Sequence, residues 1–377
     1  MRSRNHFVRL LAEFLLISGP NIFADPSETV LRDAFAEDFL IGAAVNRNQV
    51  MGGDPKAMRL VLEQFNTLTP ENVMKWEKIE PLEGQFDWKA ADNLVDFAEK
   101  HNMAVAGHVL VWHQQTPDWV FQDKNGQQAS RELLLQRMKN HIEKVVGRYR
   151  GRIHSWEVVN EALNEDGSLR STPWLDIIGD DYIEQAFRFA HAADPGAELY
   201  YNDYNLYVPE KRAGVVRLVS DLKERGVAVH GIGMQGHYGV DAPEDMQQFE
   251  DSVAAFSRLG SVYITELDIS TLPFPDQAEW GADISQDLAL EAKYNPYADG
   301  LPPAVEQQQS RQFTDLFRTL LKYRDSVSRV TFWGVSDRHS WKNNWPMAGR
   351  TDYPLLFDRE LKAKPVVVEI TALLDES

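Results

Sequence analysis

"HSWEVVNEALNEDG", residues 154–167, opens as a buried strand and turns on an amide and a carboxylate, Asn160 and Glu161. The same pattern returns in "SVYITELDIS", residues 261–270, where Glu266 sits among Val262, Tyr263, Ile264 and Leu267. Six more short apolar runs share this character: "FLIGAAV" (39–45), "QFNTLT" (64–69), "MAVAGHVLVW" (103–112), "AELYYNDYN" (197–205), "VHGIGMQGH" (229–237) and "VSRVTFWGVSD" (327–337). With "RIHSWEVVN" (152–160) and "SVYITELDI" (261–269) they make eight. Between them lie helical patterns such as "DPKAMRLVLEQF", "RELLLQRMKNHIEKVVGRY" and "PEKRAGVVRLVSDLKERG". Several begin at Asp or Pro and stop at Gly or Asn, as helices do. Eight alternations with near-continuous apolar strands predict a parallel sheet closed into a (β/α)₈ barrel, with elongated loops at the C-terminal face. The competing open, doubly wound sheet would want a glycine-rich phosphate turn after its first strand, and none is present. The expected organisation is a leader over residues 1–26 and one barrel over residues 27–377.

Composition narrows the chemistry. A net charge of −18 across 377 residues argues against nucleic acid or an anionic membrane as partner, since both need basic patches. The absence of cysteine excludes disulfides, thiolate metal sites and thiol catalysis. Most of the ten tryptophans are expected in the core, with some as candidates for sugar-stacking platforms. The N-terminus carries Arg2, Arg4 and Arg9, a short apolar stretch interrupted by Glu13, and Ala24 where a signal peptidase would cut. Export, to the periplasm or beyond, is expected; a disordered leader on a cytoplasmic protein is the alternative. Nothing later approaches the ~18 apolar residues of a membrane span.

In such a barrel chemistry lies at the C-terminal ends of the strands. Those ends carry Asn46, Glu71 with Asn72, His108 with Trp112 and His113, Asn160 with Glu161, and Asn202 through Asn205. The rest carry Gln235 with His237, Glu266 with Asp268, and Trp333 with Asp337. The strand bodies read as apolar. Splitting an acetal needs an acid at the leaving oxygen and a nucleophile or base at the anomeric carbon, which two carboxylates in different environments provide. Glu161 and Glu266 end the fourth and seventh strands, across the ring from each other, within reach of the ~5–5.5 Å separation of retaining glycosidases. Side chains two apart share a face, so His237 could donate to Glu266 while Asp268 holds it, keeping Glu266 ionised. Asn160 is a natural donor to a sugar 2-hydroxyl. The bland readings are a first-turn helix glutamate for Glu161 and a barrel-sealing ion pair for Glu266. His108 and His113 fall on opposite faces of a strand, so no metal site is expected.

At these residues the chain resembles the family 10 glycoside hydrolases, best known as endo-β-1,4-xylanases. "LTPENVMKW" (68–76), "GHVLVWHQQTPDW" (107–119), "WEVVNEAL" (156–163), "YNDYN" (201–205), "GIGMQGHY" (231–238), "ITELDI" (264–269) and "TFWGVSDRHSW" (331–341) carry the resemblance, which runs from about Leu31 to about Leu374. It implies a retaining two-step hydrolysis of internal xylosidic bonds, with Glu161 as acid/base, Glu266 as nucleophile, His237 and Asp268 as supports, and no cofactor or metal. Glu71, Asn72 and Lys75 would grip glycone-side sugars. His108, Trp112, Gln115, Asn160 and Gln235 would surround the sugar that becomes the intermediate. Trp333 and Trp341 would form its aromatic floor and wall, with Tyr204 just past the cleavage point. The implied partner is xylan or its oligosaccharides, and a monomer is expected.

One stretch departs from the pattern. "KNNWPMAGRTDY" (342–353) extends the usual turn before "PLLFD" and brings Trp345, Arg350 and Tyr353, which would contact outer glycone subsites or else only decorate the surface. The segment 271–303, rich in aromatics and prolines, would build part of the aglycone wall. Lys75, Arg338, Lys342 and Arg350 would offset the overall negative charge near the cleft. Two alternatives remain: the same fold acting mainly on short xylo-oligosaccharides, or a barrel that binds sugar without cleaving it.

Overall fold

The computed structural model describes residues 29–275 and 288–376; the expected leader, residues 1–26, lies outside them. Nine parallel strand segments form the sheet. They are β1 (Leu40–Val45), β2 (Thr67–Pro70), β3 (Ala104–Gly107), β4 (Ser155–Asn160), β5 (Glu198–Asp203), β6 (Gly231–Met234), β7 (His237–Gly239), β8 (Ser261–Ser270) and β9 (Val327–Phe332). Each pairs with its sequence neighbour from β1 to β6, β6 pairs with β8, β8 with β9 and β9 with β1, so the sheet closes on itself. β6 and β7 are two pieces of one barrel strand, both pairing with β8 and separated by Gln235 and Gly236. The eight expected strands are all present, in a closed (β/α)₈ barrel.

The helices follow local chemistry. Asp54, Ser130 and Asp245 each accept a backbone N–H at a helix start, and Pro55, Pro209 and Pro303 occupy first-turn positions where no N–H is needed. Their apolar faces pack on the outward side chains of the strands. Trp156, Val158, Leu199 and Ile232 are buried there.

The barrel interior is less apolar than the sequence suggests. Arg329, almost fully buried, donates to Ser155 Oγ (2.8 Å) and the Tyr200 hydroxyl (3.2 Å), with its guanidinium over the Tyr263 ring. Glu157, Thr265 and Thr331 are buried in the strand bodies as well.

Two register shifts decide which side chains reach the mouth. Opposite β5, the pairing steps from Glu157↔Tyr200 to Val159↔Tyr201; opposite β9, it steps from Ile264↔Val330 to Leu267↔Phe332. An extra residue in one strand breaks the alternation of faces. Thr265 and Glu266, consecutive in sequence, therefore both point inward and both meet Asn202. β8 also runs on past Glu266, so this glutamate lies within the strand and not at its end.

Candidate active site

The mouth holds a cleft of about 390 Å³ lined by residues from seven of the eight barrel strands and the loops that follow them. Glu161 takes a left-handed backbone conformation (φ 56°), uncommon for a side chain without a local reason. The reason is a clamp on the residues that follow it. The Tyr201 hydroxyl accepts the Ala162 N–H (3.1 Å) and donates to Asp203, and Asp203 Oδ2 accepts the Leu163 N–H (3.4 Å). Asp203 is itself paired with the fully buried Lys211 (2.9 Å).

The Glu161 carboxylate meets neutral donors only. Gln235 Nε2 (2.8 Å) and Asn160 Nδ2 (3.2 Å) donate to Oε1, and the Trp112 indole N–H (3.0 Å) donates to Oε2. Burial, followed by the negative charge of Asp203, pushes its pKa up to about 7. Glu161 is thus built to hold a proton.

Glu266 has the opposite surroundings. Asn202 Nδ2 donates to Oε1 (2.9 Å), and His237 Nε2 reaches Oε2 (3.2 Å) while its Nδ1 meets Asp268 (2.9 Å). The Trp341 N–H also donates to Asp268 (2.9 Å). Burial pulls the Glu266 carboxyl upward, but the His237 hydrogen bond and the charges of His108, His237 and Lys75 outweigh it and hold it below its ordinary value. Burial likewise favours a neutral His237, yet Asp268 overrides this and raises its pKa. The histidine between two carboxylates is where strand parity put it, although Gly236 (φ 85°) breaks the strand and turns Gln235 to Glu161 and His237 to Glu266. Gly233 is needed below: a Cβ there would come 2.3 Å from Asn202 Oδ1.

The remaining expected residues divide. Glu71, Asn72, Lys75, His108, Trp112, Gln115, Tyr204, Trp333 and Trp341 all line the cleft. Lys75 Nζ donates to Asn72 (3.0 Å) and Gln115 (2.8 Å) and sits over the Trp112 ring. Burial lowers its pKa, against the pull of Glu266 and Glu71. Tyr204 is held from below by Lys211, 3.5 Å from its ring centre, and at its hydroxyl by Arg170. Trp345 reaches the cleft, but at 5% exposure it stacks behind Trp341 (4.7 Å) and offers no open platform. Arg350 and Tyr353 do not line the cleft. Arg350 donates to the Pro273 carbonyl (2.9 Å) and Tyr353 to the Tyr297 carbonyl (2.9 Å), because both are spent fastening the 342–353 loop to the 271–303 segment. No described residue of 271–303 lines the cleft; residues 276–287 lie outside the described ones. Arg338 is tied to Asp54 (2.6 Å), and Asn46 and Asp337 are a helix cap and a buried partner of Lys364.

Three residues of this cluster were given no role in the sequence reading. Asn202 links the two glutamates by donating to Glu266 and to Asn160 Oδ1 (3.3 Å). Asp203 tunes Glu161, and Glu157 holds His108 Nδ1 (3.0 Å). Asn202 and Asp203 stood in "YNDYN", at a strand end already noted; Glu157, a carboxylate inside an apolar strand, was a signal passed over.

The family model for glycosyl hydrolase family 10 matches residues 30–373. The chain belongs to glycosyl hydrolase family 10. Among its relatives, endo-1,4-beta-xylanase A of Xylanibacter ruminicola is 46% identical over 350 residues, covering 93% of this chain and 94% of that protein. An endo-1,4-beta-xylanase of Geobacillus stearothermophilus is 42% identical over 340 residues, covering 89% and 96%. A family 10 endoxylanase retrieved from sugarcane soil metagenome superposes with a TM-score of 0.87 at 42% identity, covering 91% of this chain and 99% of that one. A Paenibacillus barcinonensis xylanase solved with a conduramine derivative gives a TM-score of 0.81 at 38% identity, covering 94% and 99%. The mouth of this family 10 barrel holds both glutamates that the sequence singled out.

Proposed function

We propose that this family 10 hydrolase is a retaining endo-1,4-β-xylanase in which Glu161 is the acid/base and Glu266 the nucleophile. The observation that carries the assignment is the contrast between the two buried carboxyls: one is raised to about 7 among neutral donors, the other is held down by His237, His108 and Lys75. In the first step Glu266 attacks the anomeric carbon while Glu161 gives its proton to the leaving oxygen. In the second, Glu161, now ionised, takes a proton from water as the water displaces Glu266. Asn160 faces the 2-hydroxyl, and Glu71, Asn72, Lys75 and Gln115 hold the sugar on the glycone side. Trp333 and Trp341 wall the intermediate's ring, and Tyr204 meets the first sugar beyond the cut.

This route uses protein groups alone and needs no cofactor. No described helix is long and apolar enough to cross a membrane, and the basic, then apolar, N-terminus supports export. Hydrolysis of xylohexaose followed by NMR and chromatography tests the reading. The β-anomer should appear first, with xylobiose to xylotetraose as products. An α-anomer first, or xylose released from one end only, would overturn it.

A further inference from the structure

One histidine–carboxylate cluster in the barrel joins the nucleophile to a carboxylate that these steps do not use, Glu157. His108, Glu157 and Glu266 each offer one ligand atom, and the three atoms lie within 4.8 Å of one another. His108 Nδ1 and Glu157 Oε2 are 3.0 Å apart, close to the edge of a coordination polyhedron with bonds of roughly 2.0–2.2 Å. All three residues are at most 5% exposed. His108 Nε2 and Glu157 Oε1 make no hydrogen bond to any described residue. Two buried carboxylates so close repel each other, and a dication would relieve that repulsion while replacing the His108–Glu157 proton.

The supporting pair differs in this respect. His237 meets Asp268 and Glu266 off opposite ring nitrogens, so no single ion reaches both carboxylates through it. The His141–Glu80 pair (2.7 Å) has no third ligand of this kind among the described residues. A nitrogen with two carboxylate oxygens suits Zn²⁺ or Cu²⁺ better than Mg²⁺ or Ca²⁺, which favour all-oxygen shells.

We propose that His108, Glu157 and Glu266 form an inhibitory site for Zn²⁺ or Cu²⁺ at the floor of the cleft. The ion would take the nucleophile as ligand and occupy the wall that a sugar must meet, so metal and substrate exclude each other. The site is a vulnerability of the catalytic arrangement and not a cofactor position. Binding requires only the geometry of the cluster, so it is separable from the assignment of roles above.

The test is calorimetric titration of ZnCl₂ into the full chain, alone and with saturating xylobiose, alongside inhibition kinetics. The expected results are binding of one ion suppressed by xylobiose, inhibition competitive with xylohexaose, and full recovery with EDTA. Glu157→Gln, which replaces an anionic ligand outside the cleft lining by a neutral amide, should weaken Zn²⁺ at least ~10-fold. Cu²⁺ bound to the unaltered protein should show nitrogen hyperfine splitting in its EPR spectrum, and this should vanish with xylobiose, an outcome that needs no variant. Equal Zn²⁺ affinity with and without xylobiose would overturn the proposal. So would equal inhibition of the Glu157→Gln variant and the unaltered protein.

Discussion

Asp203→Asn isolates the electrostatic half of the Glu161 environment. The side chain keeps its size and one oxygen to receive the Leu163 or Tyr204 N–H, while the charge beside the acid/base disappears. Lys211 loses one partner but retains Glu165 at 3.1 Å. Glu161 stands at about 7 against an ordinary 4.5, with burial as the first cause and Asp203 as the second. Burial persists in the variant, so only part of this interval should be lost; a loss of about one pH unit would correspond to about 1.4 kcal/mol of preference for the protonated form. The alkaline limb of kcat/KM reports this proton. It should move about one unit acidward on xylohexaose. An aryl xylobioside with a good leaving group, whose departure needs little acid assistance, should lose far less at the same pH. A uniform fall in kcat/KM with the alkaline limb unmoved would refute the reasoning and leave Asp203 a purely structural residue. Lys211→Met, by removing the opposing charge, should move the limb the other way.

Four further outcomes follow from the same geometry. Glu161 has a folded pKa above its unfolded one, so it costs nothing at pH values well below 4.5 and destabilises increasingly as pH rises towards about 7. Glu161→Gln should therefore raise Tm in mildly alkaline buffer, by an amount worth up to about 3 kcal/mol, and leave Tm unchanged in acid; a gain of equal size at both would contradict the assignment. Glu161→Ala should lose at least ~100-fold on xylan while sparing substrates with good leaving groups, which steady-state kinetics on the two substrate classes would check. Glu266→Ala should abolish turnover with circular dichroism and Tm intact; residual hydrolysis near the unaltered rate would exclude it as nucleophile. Trp345→Ala should raise KM for xylotetraose ~2–10-fold, the worth of one aromatic pair behind Trp341, with little change in kcat. A KM that does not move would reduce the 342–353 loop to decoration.

The barrel was legible because every strand is a separate apolar run punctuated by capped helices, a pattern carried by local sequence. Glu161 was legible because a carboxylate closing an apolar strand has no packing reason to be there; Glu266 was read the same way, although its strand runs on past it. What escaped depended on register. Nothing in "SVYITELDIS" announces that the alternation of faces slips between Thr265 and Glu266, yet that slip lets both side chains meet Asn202. Glu157 looked like part of a strand body because its partner, His108, lies 49 residues earlier in the chain. The extended loop misled in the other direction. Trp345, Arg350 and Tyr353 looked like ligands because they are large and polar or aromatic, but Arg350 and Tyr353 satisfy backbone carbonyls of a neighbouring segment. A long loop has its own hydrogen bonds to complete before it can offer any to a substrate.

The most direct test of the central claim is to trap the intermediate. A 2-deoxy-2-fluoro-xylobioside with an activated leaving group slows both steps, because the group that Asn160 would grip at the transition state is gone, and slows breakdown enough for the sugar to stay attached. Peptide mass spectrometry of the inactivated protein should find one 2-deoxy-2-fluoro-xylobiosyl unit on Glu266. A label on Glu157, on Glu161 or on no residue at all would contradict the account.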